Sequence, residues 1–340
     1  MTKPKISIKR IAEIAGVSTC TVSKVLNDTG AGYSAKTAQK IRAVAESLNY
    51  IPDSAAKTLR EAKSYTIGLI VPNIDNDFFA SLALFIEGEM QAKGYSVFIA
   101  NGAGNESREQ QYFRVMRGKG VDGMISCSNL GFLADACREN GIPLVSVVRY
   151  PHGKQIPVVA IDNRAAANTA VTHLIDRGCR HILFLGYATV EENRIAREEG
   201  YIQALKDHGM GVDRNYIVHC HATTDKSSAA GKSLEEFLLA GKSLDGIFAA
   251  NDSIAIGALT YLMRRGFRIP HDIKIIGFDN SIYSGLTYPS ISTIDAHADR
   301  MAKESCRIMQ ALIQGEQIPC GISYIPFDLI ERDSTSLVSK

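Results

Sequence analysis

The sequence predicts a chain of two parts, a small all-α domain followed by a larger α/β domain of two doubly wound parallel-sheet lobes. Between residues 8 and 48, apolar residues recur every three or four positions, the period of an amphipathic helix. From Tyr65 onward, short apolar runs alternate with helical patterns, which is typical of a parallel sheet covered on both faces. At 340 residues the chain also exceeds what one hydrophobic core usually supports.

The stretch from Ile8 to Asn27 predicts two short helices joined by a tight turn. Gly16 interrupts the apolar period and can adopt the left-handed conformation that ends a helix, whereas Ser7 and Ser18 can cap the two helix starts. This arrangement is a helix-turn-helix, whose second helix reads base edges in the major groove of DNA. The candidate DNA-contacting residues on and beside this second helix are Ser18, Thr19, Cys20, Thr21, Ser23, Lys24 and Asn27.

A plain helical hairpin with a solvated polar face also fits these two helices, but the continuation of the chain argues against it. A third amphipathic helix follows from Ser34, then the segment NYIP at 49–52 and the run DSAAKTLR at 53–60. Together with the motif AEIAGVSTCTVSKVLN at 12–27, these segments resemble the LacI/GalR (lactose-repressor) family of bacterial transcription regulators over about sixty residues. The resemblance implies a DNA-binding domain over residues 1–52 and a function as a transcriptional repressor.

Charge is distributed unevenly along the chain. Residues 1–63 hold eleven Lys and Arg against five Asp and Glu, whereas the remainder holds 27 against 31. A basic N-terminal part is suited to a polyanion, because its cations can form salt-dependent contacts with phosphates. The asymmetry supports a nucleic-acid partner for this domain alone.

The segment 53–64 is expected to be a hinge between the two domains. Seven or eight residues are too few for a helix that is stable alone, so it should fold only when something packs against it. In the family, a paired hinge helix forms on operator DNA and inserts a leucine into the minor groove; the resemblance assigns that role to Leu59, flanked by Lys57 and Arg60. The alternative is a flexible tether whose Leu59 covers the adjacent domain.

Nine apolar segments beyond Tyr65 are predicted to be buried strands in two series. The first series is 66–71, 95–100, 122–127 and 143–148, and the second begins at 158–162 and continues with 181–186, 216–220, 246–250 and 273–278. Each series predicts one lobe. Ligands of such sheets bind beyond the carboxyl ends of the strands, so the expected site is the cleft between the lobes.

The two-lobed pattern is similar to the ligand-sensing domain of the LacI family, which resembles periplasmic sugar-binding proteins. By that resemblance the sensor domain covers 65–340, and the chain crosses between lobes near residues 162, 292 and 324. The segment STIDA (292–296) and the helix after it are therefore expected in lobe one. The lobe boundaries are then about 65–162 with 293–323 for lobe one, and about 163–292 with 324–340 for lobe two.

Two candidate parts of an effector site stand at the ends of predicted strands. The segment PNIDNDFF (72–79) resembles a family segment with Asn-Pro-Phe-Phe, although Asp77 replaces the proline. Its aromatic side chains either stack on a sugar or base ring or are core residues at a helix start. Arg197 matches the family's effector-contacting arginine, and its fixed donors suit hydroxyl groups or a carboxylate.

Polar residues at further strand ends complete the candidate effector site. Asn251 and Asp279 match the family's pocket asparagine and aspartate, whereas Asp252 is expected to be a helix cap. Arg149 and Asp162 also follow predicted strands. The full candidate set is Asn73, Phe78, Phe79, Arg149, Asp162, Arg197, Asn251 and Asp279.

Other motifs do not support chemistry. AGKS at 230–233 and 240–243 lacks the first glycine of a P-loop, and NGAGN at 101–105 lacks the full dinucleotide fingerprint. His219 and His221 alternate along a strand, but a structural zinc site needs four ligands. We therefore expect no metal and no cofactor. Because no nucleophile and base stand at a recognisable spacing, we also expect no enzymatic activity.

The seven cysteines are scattered, odd in number and without a CxxC spacing, which is typical of thiols in a reducing compartment. The sequence contains neither the apolar core of a signal peptide nor a run of eighteen apolar residues. These features predict a cytoplasmic protein without a membrane segment or a disulfide framework.

Two functions from different classes fit these observations. The first is a homodimeric transcription regulator that binds inverted-repeat operator DNA and responds to a small effector, either as inducer or as corepressor. The second is a sugar- or purine-binding protein, or a sugar enzyme, that carries an incidental helical extension. The basic N-terminal domain favours the regulator, and a cleft with aromatic rings, Arg, Asn and Asp suits a carbohydrate effector, with a purine as the alternative.

Overall fold

The computed structural model describes residues 7–26, 32–50, 63–128, 131–151, 153–188, 192–220 and 226–336. The chain forms two compact units that divide between Ser64 and Tyr65. None of the helices that the structure describes has the length and apolar character needed to span a bilayer. Four predicted DNA-contacting residues lie outside the described ranges: Asn27, Lys57, Leu59 and Arg60.

Within its described residues, the N-terminal unit forms three helices, α1 (Ile8–Ala15), α2 (Thr19–Leu26) and α3 (Ala35–Ser47). Their apolar faces enclose a small core around Ile11, Val22, Val25 and Ile41, all of which are buried. The turn between α1 and α2 follows from two residue types. Gly16 ends α1 with φ 69°, and the Ser18 Oγ accepts a hydrogen bond from the Thr21 N–H at 3.0 Å.

Lobe one of the larger unit is a six-stranded parallel sheet in the order β11-β5-β4-β3-β1-β2. Its helices α4 and α12 pack against each other. The central strands are buried along their whole length, because helices cover both faces of the sheet. The strands are β1 (Thr66–Val71), β2 (Ser96–Asn101), β3 (Gly123–Ser126), β4 (Leu144–Val147), β5 (Pro157–Ala160) and β11 (Gly321–Tyr324), and the helices are α4 (Asp77–Gln91), α5 (Glu106–Gly118), α6 (Phe132–Glu139) and α12 (Ala298–Ile313).

Lobe two repeats the design with the strand order β12-β10-β9-β8-β6-β7, in which only the edge strand β12 is antiparallel. A short 3₁₀ turn at Arg214–Tyr216 precedes β7. The strands are β6 (Ile182–Tyr187), β7 (Ile217–Cys220), β8 (Gly246–Ala249), β9 (Lys274–Phe278), β10 (Ser292–Asp295) and β12 (Asp328–Ile330), and the helices are α7 (Asn163–Asp176), α8 (Glu192–Asp207), α9 (Lys226–Leu239), α10 (Asp252–Arg264) and α11 (Ile282–Leu286).

One expected assignment of a strand to a lobe is wrong, and one expected grouping of strands differs. The strand at 157–160 lies within the expected range of lobe one, where Val158 pairs with Ser146 of β4, although the apolar runs grouped it with the second series. The segment 292–295 does not return to lobe one as expected, since Thr293 pairs with Gly277 of β9 in lobe two. The second crossing between lobes therefore follows β10, at His297, whose φ of 50° turns the chain into α12. Apolar pattern identifies a strand, but it does not identify the sheet in which the strand pairs.

Candidate functional site

A cavity of about 450 Å³ lies where the carboxyl ends of the two sheets face each other. This volume is in the range of small-molecule sites. Lobe one contributes Pro72, Asn73, Asn76, Phe78, Phe79, Ala103, Gly104, Val148 and Arg149, and lobe two contributes Tyr187, Asn193, Arg194, Arg197, Ala250, Asn251 and Asp279.

Arg197 on α8 is held in the cavity wall by several elements of lobe two. Its guanidinium stacks 3.5 Å from the ring centre of Phe278, the last residue of β9. Nε donates to the Asn163 Oδ1 at 2.9 Å, Nη1 donates to the Ala250 carbonyl, and Nη2 lies 3.3 Å from the Asp279 Oδ1. A guanidinium fixed by these partners presents its donors to the cavity in one orientation.

Two carboxylates of lobe two have raised pKa values: the half-buried Asp279 lines the cavity, whereas Asp252 is fully buried and does not line it. Burial raises the pKa of Asp279 to about 6, although the Arg197 guanidinium opposes the shift. Burial also raises the pKa of Asp252 to about 7, and the nearby charge of Asp279 adds to the shift. Asp252 accepts hydrogen bonds from the Thr293 hydroxyl at 2.7 Å and from the Ser281 N–H at 2.6 Å. Both carboxyl groups therefore ionise at the cost of desolvation.

The expectation that Asp252 caps a helix is wrong by one residue. Asn251 is the N-cap of α10, because its Oδ1 accepts a hydrogen bond from the Ile254 N–H at 3.0 Å. Asp252 is the first helical residue and is buried. Asn and Asp are equally good caps, so the sequence Asn251-Asp252 does not show which of the two residues caps the helix. The backbone conformation decides it.

The raised pKa values predict a pH-dependent stability. Since both folded-state values exceed the unfolded value, the folded state binds more protons between about pH 4 and pH 7, and stability falls as pH rises through that window. Asp252→Asn removes one of the two groups. We expect the free energy of unfolding of the variant, minus that of the wild type, to increase by about 2–4 kcal/mol between roughly pH 4.5 and pH 8.

Denaturant unfolding across that pH range measures the difference. Asp162→Asn is the matched control, because Asp162 is an exposed helix cap and asparagine caps equally well. The control should follow the wild type at every pH. A pH-independent difference between Asp252→Asn and the wild type would contradict the assignment of a raised pKa to Asp252.

The structure brings seven of the eight candidate effector residues to the cavity and leaves one outside it. Asp162 does not line the cavity, which corrects its assignment as a contact. Its side chain is exposed and caps α7, accepting a hydrogen bond from the Ala165 N–H at 2.9 Å. An aspartate between a strand and a helix can contact a ligand or cap the helix, and Asp162 caps α7.

Phe78 and Phe79 are both buried at the start of α4 and line the cavity. Their ring centres are 5.5 Å apart at an angle of 77°, so the rings pack edge to face. The Arg149 guanidinium lies 5.7 Å from the ring centre of Phe79. Of the two roles considered for these rings, the geometry favours the core of the helix start, with part of the cavity wall as a consequence.

Four polar residues of the cavity are absent from the candidates drawn from the sequence: Asn76, Tyr187, Asn193 and Arg194. Asn193 and Arg194 precede Arg197 by four and three residues, so helical spacing on one face could have identified them. The Asn193 Nδ2 donates to the Val148 carbonyl at 3.0 Å and so joins the two lobes. The buried Tyr187 hydroxyl has no hydrogen-bond partner among the described residues.

The candidate DNA contacts that the structure describes lie on α2 and at its cap. Thr19, Cys20 and Lys24 are exposed, whereas Thr21 and Ser23 are half-buried. The exposed Ser18 shares a hydrogen bond of 2.9 Å with the Thr21 hydroxyl. Two hydroxyls are therefore engaged at the helix cap, and the outer face of α2 consists of small polar side chains and one lysine.

Comparisons with known proteins agree with this geometry. Residues 7–53 match the family of bacterial regulatory proteins of the lacI type, and residues 171–335 match a periplasmic binding protein-like domain. The ribose operon repressor of Halalkalibacterium halodurans is 32% identical, over 97% of this chain and 97% of its own length. A further 180 or so curated proteins and several hundred solved chains are also similar.

Two solved structures extend the comparison. A periplasmic binding protein/LacI transcriptional regulator from Alkaliphilus metalliredigens, complexed with D-xylulofuranose, is 30% identical with a TM-score of 0.70 and covers 80% of this chain and 99% of its own. The lac repressor dimer bound to operator and the anti-inducer ONPF has a TM-score of 0.85 over 98% of this chain and 99% of its own. At 23% identity, this likeness shows only that the two chains share a fold.

The family models and the full-length identity confirm the prediction of a helix-turn-helix regulator and leave no support for a binding protein with an incidental extension. The chain belongs to the lacI family of bacterial regulatory proteins, with an N-terminal DNA-binding domain and a two-lobed sensor domain.

Proposed function

We propose that this regulator is a cytoplasmic repressor that binds an inverted-repeat operator as a homodimer and responds to a neutral sugar in the cavity between its lobes. The observation that carries the proposal is the Arg197–Asp279 ion pair, stacked on Phe278 in the cavity wall. The pair places hydrogen-bond donors and acceptors side by side with no net charge. Neighbouring hydroxyl groups of a sugar can both donate and accept, so they match such a pair.

An anionic effector fits this wall less well. A phosphate ester placed at Arg197 would have to displace Asp279 and would then lie beside its carboxylate, which is unfavourable at short distance. A purine would need an open aromatic face on which to stack. The mutual packing and burial of Phe78 and Phe79 leave little ring surface for that purpose.

Two of the similar proteins point to a five-carbon sugar. The ribose operon repressor is named for a five-carbon sugar, and the structure from Alkaliphilus metalliredigens contains D-xylulofuranose, another five-carbon sugar. We therefore propose D-ribose and D-xylulose as the first compounds to test.

The proposed control is a shift between open and closed lobes. An effector that binds one arrangement more tightly increases its population, and the segment 53–64 transmits the change to the DNA-binding unit. We propose that Leu59 of this segment wedges into the minor groove, as the family resemblance implies, and that Lys57 and Arg60 beside it contact phosphates or the groove.

Two experiments test the proposal together. Selection from random duplexes should return an inverted repeat, because a two-fold dimer presents two copies of α2. Calorimetric titration with five-carbon sugars, sugar phosphates and purines should give the tightest binding for a neutral sugar. Recovery of a non-repeated site would contradict the dimeric mode of binding, and tighter binding of a phosphate or purine would contradict the effector class.

The proposed homodimer has a candidate surface on lobe one. Leu84 on α4 is 68% exposed and Phe98 on the edge strand β2 is 45% exposed, and both elements carry a second exposed apolar residue, Phe85 and Ile99. Monomers seldom leave neighbouring apolar residues in water beside an open strand edge. A second copy of the chain can cover this surface through two-fold symmetry.

Leu84→Asp is expected to dissociate the dimer. Each interface would lose two buried leucines, at about 1.5–3 kcal/mol each, so the dimer dissociation constant should increase roughly a hundredfold or more. Sedimentation velocity over a concentration series measures this change. Leu239→Asp is the matched control, because Leu239 is 81% exposed on α9 of the other lobe. An unchanged sedimentation coefficient for Leu84→Asp would place the interface elsewhere.

A further inference from the structure

The loop that carries Asp279 is held by hydrogen bonds from four consecutive backbone N–H groups, and each acceptor is distant in sequence. Three acceptors belong to lobe two, and the fourth belongs to lobe one. The pairs are Asp279 N to Ile294 O at 2.8 Å, Asn280 N to Thr293 Oγ1 at 3.3 Å, Ser281 N to Asp252 Oδ2 at 2.6 Å, and Ile282 N to Asp77 Oδ2 at 3.0 Å.

The loop needs these bonds because its backbone is strained. Asp279 has φ 101° and Asn280 has φ 53°, a region that side-chain-bearing residues seldom occupy. Residues in such conformations persist when their surroundings hold them in place. The conformation that points Asp279 toward Arg197 is therefore coupled to the four acceptors.

Asp77 is the acceptor that reaches across from lobe one. It is the first residue of α4 and directly precedes Phe78 and Phe79, which line the cavity. Its partner, the Ile282 N–H, lies three residues after Asp279. The two ends of this contact are thus within three residues of cavity-lining side chains on opposite sides of the cleft.

We propose that Asp77 is a positioning residue that ties the Asp279 loop to lobe one, so that the position of Asp279 and the separation of the lobes change together. Binding of an effector to Asp279 then moves or holds lobe one through the Ile282–Asp77 bond. The coupling to an effector rests on the proposed effector site, whereas the bond and its effect on lobe separation do not.

Another role of Asp77 has to be distinguished from this one. An acidic residue in the first turn of a helix stabilises that helix through the helix dipole, without any contact to the other lobe. Asparagine at 77 keeps an acceptor oxygen but loses the charge, whereas alanine loses both. A proline, which the resembling family segment carries here, would also offer no side-chain acceptor.

The first readout is amide hydrogen exchange in the full-length chain without ligand or DNA. We expect Asp77→Ala to increase the exchange rate of the Ile282 amide at least about fivefold, because the N–H loses its acceptor. Asp77→Asn should remain within about twofold of the wild type. Asp75→Ala is the matched control, since Asp75 is an exposed aspartate of the same segment.

The second readout is the distance between the lobes, from spin labels on cysteines introduced at the exposed residues Arg117 and Arg264. Cys20 and Cys320, the exposed thiols of the described residues, are first replaced by serine. Asp77→Ala should shift or broaden the distance distribution, and Asp77→Asn should restore the wild-type distribution. Thermal unfolding of both variants shows that they are folded.

The proposal is supported only if both readouts change in Asp77→Ala and recover in Asp77→Asn. An unchanged exchange rate of the Ile282 amide in Asp77→Ala would contradict the hydrogen bond to Asp77. Faster exchange with an unchanged distance between the lobes would show that the bond is local and does not control lobe separation. If Asp77→Asn changes the exchange rate and the distance as Asp77→Ala does, the role of Asp77 is to stabilise α4 through the helix dipole. Because neither measurement contains a sugar, a wrong effector class would leave these outcomes unaffected.

Discussion

Arg197→Ala is expected to abolish the response to effector while leaving operator binding intact. The variant loses charge-assisted hydrogen bonds at the cavity wall, and the expected loss in effector affinity is on the order of 1.5–3 kcal/mol, or about 10- to 150-fold. Calorimetry with D-ribose or D-xylulose measures the affinity. Operator binding with and without sugar measures the response.

The same substitution should also change the pKa of Asp279. Without Arg197, the carboxylate has lost the cation that opposes its desolvation, so its pKa should rise further above about 6. The variant is therefore expected to lose more stability at pH 8 than at pH 6, where protonation relieves the unpaired charge. Arg164→Ala is the matched control, because Arg164 is an exposed arginine that pairs with Glu199 outside the cavity. Full inducibility of the Arg197 variant would show that the effector site lies elsewhere.

Lys24→Ala is expected to have the second large effect, on operator binding. Lys24 is exposed on α2, and a lysine that contacts a base edge contributes about 1–3 kcal/mol. A dimer contains two copies, so operator affinity should fall roughly thirtyfold or more. Fluorescence anisotropy at several salt concentrations measures both the affinity and its salt dependence.

The salt series separates two kinds of contact. If Lys24 contacts phosphates, the variant should weaken binding to all sequences and flatten the salt dependence; if it contacts a base, it should weaken the operator selectively. Lys119→Ala, at an exposed position in the sensor unit, removes the same charge and should bind as the wild type does. Unchanged operator affinity of Lys24→Ala at physiological salt would remove Lys24 from the interface.

Local pattern predicted the helices and strands well, because burial imposes a period on the residues that form them. The resemblance to the family identified Arg197 as a residue of the effector site, through a motif that spans only a few residues. The same information could not assign β10 to a lobe, since Ser292–Asp295 is a four-residue strand with a single apolar side chain and fits either sheet. Sheet membership is decided by pairing with residues distant in sequence.

The residues between a strand and a helix show the same limit. Asp162, Asn251 and Asp252 all stand at such a junction, and which of them caps a helix, lines the cavity or is buried depends on backbone geometry. From the sequence alone, Asp77 is only a departure from a family segment that carries proline at this position. Its partner Ile282 lies 205 residues away, so no local pattern could relate the two.

The strand orders have a consequence for how this protein folds as it leaves the ribosome. The edge strand β11 of lobe one and the edge strand β12 of lobe two lie within residues 321–330. The sheet of lobe one therefore remains incomplete until translation has passed residue 324, and that of lobe two until it has passed residue 330. The helix α12 joins lobe one only after most of lobe two has been made. Nascent chains should thus expose two unpaired strand edges at once, and a chaperone that shields such edges would act late in synthesis.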